Sequence, residues 1–322
     1  MRLLSLSLIL VLLSINALGL EPLAVNSDDI EINIKPYTQY IIDPDNTLTI
    51  EDIRASENAK KGLFSSFTDT SKVISFGYTS STIWLRTSIT NLQKNQQDLY
   101  FDFQFPIIAE ITMYHFYQDK KWSEYNEGID FPISNRLFKS RSLVLPIDLV
   151  PESANEVYFK INTPGILLLP ARLYSQSKFF AHKLTVDFVM YGILGLYIGF
   201  FFFHLITYFN NKELLYLAFC TATLGRFFYD LYFSGTGQLL FPENAELNRL
   251  GLFYFGGIST AGALWFHAEF LNLRNKTKKM FYFFMGYAAV ILVGINYGIL
   301  YDPVAFYITF PLQLLAPITL CL

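Results

Sequence analysis

Apolar runs follow one another down the second half of this chain, over residues 184–209, 214–233, 250–271, 281–300 and 304–322. Each is close to the ~20 residues that cover a ~30 Å hydrocarbon core at ~1.5 Å per residue. Five such runs joined by short connections do not suit the interior of a globular helical domain, so an all-α transmembrane helix bundle is expected over 181–322. The last run, ending "YITFPLQLLAPITLCL", carries no charge and reads as a span cut short at Leu322. At 52% hydrophobic and 16% charged the whole chain is too polar to be all membrane, so a second, water-exposed part is required. A net charge of -3 supplies no basic stripe, and nucleic acid is not an expected partner.

Residues 1–19 read as a secretory signal: Arg2, an apolar stretch from Leu3 to Leu13, then small residues at Ala17 and Gly19. The alternative, an uncleaved anchor, needs a longer apolar stretch than this one. Residues 20–180 alternate apolar and polar positions between short turn clusters, which is the pattern of half-buried strands. In "LYFDFQF", Leu99, Phe101, Phe103 and Phe105 are expected inward and Tyr100, Asp102 and Gln104 outward. "EVYFKIN" repeats this with Val157, Phe159 and Ile161 inward, and "WLRTSIT", "EITMYHFY", "RSLVLPIDL" and "GILLLPARLY" are further strands. Many short strands in this length predict an all-β two-sheet sandwich. Cys220 and Cys321 both fall in apolar runs, so the β part must be held by its core without disulfides. Thr49 with Asp52 three residues on predicts a capping box and one helix over "IEDIRASENAKK".

The connection "NLRNKTKKM" carries Arg274, Lys276, Lys278 and Lys279, whereas "SGTGQLLFPENAELN" carries Glu243 and Glu246 and no cation. The bias of cations toward the cytoplasm puts the first inside and the second outside, which agrees with an exported β part.

In this setting the residues resemble a known family, the bacterial seven-transmembrane receptors with diverse intracellular signalling modules, in the branch with the second type of extracellular domain. The resemblance rests on "YIIDPDNTLTIEDI", on "GYTSSTIWLRTSITN" with Trp84-Leu85-Arg86 and Asn91, and on Glu110-Ile111 with Tyr114. It continues through Arg141 to Pro146, Gly165 with Leu169-Pro170, Gly195, Tyr197 and Gly199, Lys212 and Tyr216, Gln238 with Phe241-Pro242, and Phe270-Leu271 with Leu273. It departs at Phe203-His204, where the family tends to carry a Tyr-Asn-like pair, and at Tyr216-Leu217-Ala218-Phe219, where its tyrosines are thinned. The resemblance implies a jelly-roll outer domain similar to carbohydrate-binding modules, seven spans, and a cytoplasmic output module. The remaining spans and any output are then expected beyond Leu322.

For a ligand on the outer domain, Trp84, Arg86, Tyr114, Phe116 and Trp122 are the candidates, because aromatic faces stack on sugar rings and guanidinium groups clamp carboxylates. Trp84 is equally suited to core packing, since it alternates with Ile83 and Leu85. Inside the membrane, Arg226 and Asp230 are one helical turn apart and can pair, as a switch or as a structural clamp. His204 and His267 fall at similar depth, with Glu269 two residues on, and are candidates for coupling as a proton-sensitive or metal-binding cluster, with a plain hydrogen-bonded packing role as the alternative.

No phosphate loop, nucleophile elbow or His-Glu-x-x-His motif occurs, so neither catalysis nor a cofactor or metal is expected. The expected protein is a sensor in the bacterial inner membrane. Its partners are the bilayer, a small carbohydrate or acid, and a signalling module in cis or in trans, with the choice between monomer and homodimer open. A transporter lined by the intramembrane charges and a partner-recruiting scaffold are the competing classes.

Overall fold

The computed structural model describes residues 21–58, 64–163 and 165–300; the signal segment and the fifth apolar run lie outside them. The first part consists of β1 (Leu23–Val25), β2 (Glu31–Asn33), β3 (Thr38–Asp43), helix α1 (Ile50–Asn58), β4 (Ser65–Ser66), β5 (Ile74–Thr79), β6 (Thr82–Asn91) and β7 (Gln97–Phe103). It continues with β8 (Glu110–Tyr117), β9 (Lys120–Glu127), β10 (Leu143–Leu149), β11 (Ser153–Asn162), β12 (Gly165–Leu169) and β13 (Ala171–Ser175). Helices follow: α2 (Gln176–Asn211), α3 (Leu214–Phe233), α4 (Thr236–Leu240), α5 (Ala245–Phe270), α6 (Leu273–Lys276) and α7 (Lys278–Leu300). A mostly-β part is thus followed by a helical part, in the order the sequence predicts.

One sheet has the order β4-β3-β6-β11-β8-β9, with β1 added parallel to β6; a second has the order β10-β7-β13-β2, and β12 pairs with β5. The alternating apolar positions of the first two sheets meet in a single core. Ile83, Leu85, Ile111, Met113, Val157, Phe159 and Ile161 come from one sheet, and Leu99, Phe101, Phe103, Leu145 and Leu173 from the other. The Phe159 ring meets Phe101 and Phe103 edge-on at 4.9 and 5.1 Å between centroids. At ~1.5–3 kcal/mol for each large side chain removed from water, a core of this size needs no disulfide.

Prolines decide two details. Pro146 sits in β10, an edge strand, where its missing N–H removes no interior ladder bond. Pro170 divides "GILLLPARLY", which forms β12 on β5 and then β13 on β7 and β2, instead of the one strand the alternation predicts.

The backs of both sheets are covered as well. Thr49 and Asp52 form the predicted capping box, with Thr49 N donating to Asp52 Oδ2 at 3.0 Å and Asp52 N to Thr49 Oγ1 at 3.2 Å. The helix it starts, α1, lays Ile50 and Ile53 over Ile41, Trp84, Phe116 and Tyr158. On the other sheet the polar set of β7 does not face solvent. α2 leaves β13 directly and its first turns lie on that face, with Phe179 stacked on Tyr100 and His182 bonded to Gln104. Alternation along a strand separates its two faces but carries no information on what covers either.

Among the helices, α2 and α7 are long and apolar enough to cross a membrane. α2 leaves Leu184, Phe188, Leu196, Phe203 and Phe209 exposed along its length. Among the described helices the most extensive pairing is α3 with α5. A Cβ on Gly225 would stand 2.5 Å from Ser259 N, and one on Gly262 2.5 Å from Ala222 N, so these two glycines let the backbones touch.

Candidate functional site

A cleft of about 440 Å³ on the β part opens where Arg54 of α1 meets β6, β8 and β11. Arg54 from α1 lies over the Phe116 ring at 3.9 Å and donates to Asp119 at 3.1 Å. On the opposite wall Glu156 of β11 accepts from Ser88 Oγ at 2.7 Å and from Arg86 Nε at 2.9 Å. The cleft therefore offers a fixed carboxylate, a guanidinium held between a ring and an aspartate, and hydroxyl groups.

The five outer candidates do not gather at one place. Trp84 is 0% exposed, sealed under α1 and stacked on Tyr114 at 6.0 Å, so it offers no face to a ligand. That is a correction to its reading as a stacking platform: the strand does turn Trp84 away from the main core, but α1 closes over it. Phe116 lines the cleft with its ring already covered by Arg54, and Arg86 stands behind the cleft, aiming Glu156. Trp122 is 56% exposed on β9 against Tyr117, apart from the cleft lining. Arg54, Ser88, Asp119 and Glu156 carry no motif, and pairing of β6 with β11 across the sheet is what brings Ser88 and Glu156 together.

The second cleft, about 240 Å³, lies between the covered face of β7 and the start of α2, lined by Asp102, Gln104, Arg141, Ser142, His182, Lys183 and Asp187 among others. Arg141 Nε and Lys183 Nζ each donate to Asp187 at 2.5 Å, joining the β part to α2. Burial raises the Asp102 carboxyl above the usual range against the opposing pull of Ser142, His182, Gln104 and Arg141.

A third group joins the β part to the α3–α5 connection. Arg136, 4% exposed, donates to Gln238 Oε1 at 2.5 Å and to the carbonyls of Gly128 and Ser140, while Gln238 donates back to Pro106 O at 3.2 Å. Ile133 N donates to Pro242 O at 3.0 Å, Ser134 to Glu243 at 3.1 Å and Arg141 to Ser234 O at 3.3 Å. Burial lifts the nearby Glu127 carboxyl to about 7, although the Arg136 guanidinium pulls it down.

Within the helices, Arg226 Nε donates to Asp230 Oδ2 at 2.9 Å, and the Tyr197 hydroxyl of α2 donates to the same oxygen at 2.9 Å. The spacing gives the first contact and the fold adds the second, tying α2 to α3. His204 and His267 each bond the carbonyl four residues before through Nδ1, at 2.8 and 2.6 Å. The path from His204 to His267 runs through the rings of Phe219 and Phe266. Glu269 accepts from Arg274 at 2.9 Å at the end of α5. Among the described residues no three His, Cys, Asp or Glu side chains are grouped as a metal would require.

No curated protein matches the chain. Solved structures with some likeness include the beta-glucuronidase of Ruminococcus gnavus, at 18% identity and a TM-score of 0.24 over 45% of this chain. The match covers 23% of that enzyme, so the chain spans about a quarter of its length. A family 35 carbohydrate binding module from an environmental isolate matches at 10% identity and TM-score 0.21, over 35% of this chain and 78% of its own. TmCBM61, solved in complex with beta-1,4-galactotriose, gives 9% and 0.21, over 46% of this chain and 88% of its own. Scores this low carry no argument about fold or ligand. Residues 35–175, from just before β3 to the end of β13, match the family described as 7TMR-DISM extracellular 2, and over those residues the chain is a domain of that family.

Proposed function

We propose that the chain is the sensory and membrane part of a bacterial signal-transduction receptor. The β part is a jelly-roll-like sandwich in the periplasm that takes a small carbohydrate or acid at the cleft beside Glu156. The helices belong to a seven-helix-type bundle in the inner membrane that passes the change to a cytoplasmic signalling module, in cis or in trans.

The observation that carries this reading is the double fastening of the β part to the helices, through Arg141 to Asp187 on α2 and through Arg136 to Gln238 between α3 and α5. A ligand shifts an equilibrium only by binding its two states unequally, and a β part clamped at two points has states that differ in helix placement. The orientation is supported by length. The 26 residues of α5 rise roughly 39 Å, which separates the Gln238 joint from the cationic connection by about a membrane thickness.

The test is hydrogen exchange on the full chain in lipid nanodiscs, titrated with galactose, galacturonate and succinate. Binding of one of these probes is expected to change protection at 234–244, and Arg86→Ala is expected to weaken it by releasing Glu156. Gln238→Ala should keep binding but lose the change at 234–244. Exchange altered only within 21–175 would contradict the reading.

The three-way contact of Arg226, Asp230 and Tyr197 favours a second reading, a transporter whose path these groups line. Solute uptake by liposomes that is abolished by Asp230→Asn would establish it in place of the receptor.

A further inference from the structure

The junction cleft between β7 and α2, which contains the Arg141–Asp187 fastening, also divides its charge in a way that suits a ligand. On the side of the β part, Asp102 is 3% exposed and its Oδ1 has no hydrogen-bond partner among the described residues. Facing it, Arg141 from the loop before β10 and Lys183 of α2 share the single carboxylate of Asp187, so these two cations meet one anion. Arg141 engages Nε with Asp187 and Nη1 with Ser234 O, and Lys183 engages one of its three donors. Both keep N–H groups for a further acceptor.

We infer that this cleft is a binding site for a small zwitterion of the amino-acid class, its ammonium on Asp102 and its carboxylate on Arg141 and Lys183. The volume, about 240 Å³, is below the ~300 Å³ at which drug-sized pockets begin, so the occupant is a small metabolite. A pyranose is disfavoured, because the lining offers no free aromatic face: His182, its one ring of that kind, is stacked on Tyr174 at 5.2 Å. A simple anion meets the Asp102 carboxylate, and a simple cation leaves the Arg141–Lys183 wall unanswered. A molecule with one charge of each sign satisfies both walls and spans from the β part to α2. This site is separate from the cleft at Glu156, and the inference does not depend on what that cleft binds.

The experiment is isothermal titration of the full chain in nanodiscs with glycine, L-alanine and L-serine, against nitrate, ethylamine and acetamide. At least one amino acid is expected to bind saturably, and the three controls are not. Asp102→Asn should lower that affinity about 10–100-fold, the range for losing a charge-assisted hydrogen bond. Lys183→Gln tests the other wall independently and should weaken binding too, whereas Asp98→Asn, exposed on the same strand, should change nothing. Failure of all three amino acids to bind, equal binding of a control, or full affinity in both Asp102→Asn and Lys183→Gln would overturn the proposal.

Discussion

Glu127 is a buried carboxylate beside Arg136, and its position has a consequence in pH. Burial raises its folded value to about 7, above the ordinary carboxylate value of 4.5. The folded protein therefore binds more protons than the unfolded chain between these values, and stability from this group is present in full below about 4.5 and lost as pH rises through about 7. The loss is at most ~3 kcal/mol. Glu127→Gln should accordingly flatten the melting temperature between pH 5 and pH 8 and raise it at the upper end; a variant with the same pH profile as wild type would show that Glu127 is solvated. Little of this was legible in the sequence. Glu127 ends a polar, solvent-facing strand, and only the return of Arg136 through the following loop, with Gln238 arriving from the helices, buries it. Asp102 follows the same rule: "LYFDFQF" gives the correct face for each residue and no sign that α2 covers the polar one.

At the scale of elements the sequence is more informative. Four of the apolar runs fall on α2, α3, α5 and α7, with α3 matching its run and α2 and α5 starting eight and five residues ahead of theirs, and the capping box at Thr49 starts α1 where expected. Helices and strands follow from periodicity and local caps, both of which are written along the chain. Pairing between distant elements is not, so the Ser88–Arg86–Glu156 group and the Tyr197–Asp230 contact emerge only with the fold. The crossing of α3 and α5 gives a direct test. Gly262→Val would push a side chain into the backbone at Ala222 and force the helices apart, at about 1–3 kcal/mol for overpacking. The melting temperature in nanodiscs should fall for Gly262→Val and stay near wild type for Gly286→Val, whose Cβ would meet open space. Equal melting of the two variants would mean that the α3–α5 approach is looser than described.

For the molecule as a whole, in the proposed receptor the exposed apolar length of α2 and the charge difference between the two connections belong to one arrangement, with lipid over the helices and the β part on one side. Every functional step proposed above requires that arrangement. It is tested most directly by labelling intact spheroplasts with a membrane-impermeant maleimide, using Lys120→Cys on β9 and Asn275→Cys in the cationic connection, each with Cys220 and Cys321 replaced by serine. The receptor account predicts that Lys120→Cys reacts in intact spheroplasts and Asn275→Cys only after lysis. Reaction of both before lysis would place the β part and the cationic connection on the same side and contradict the account.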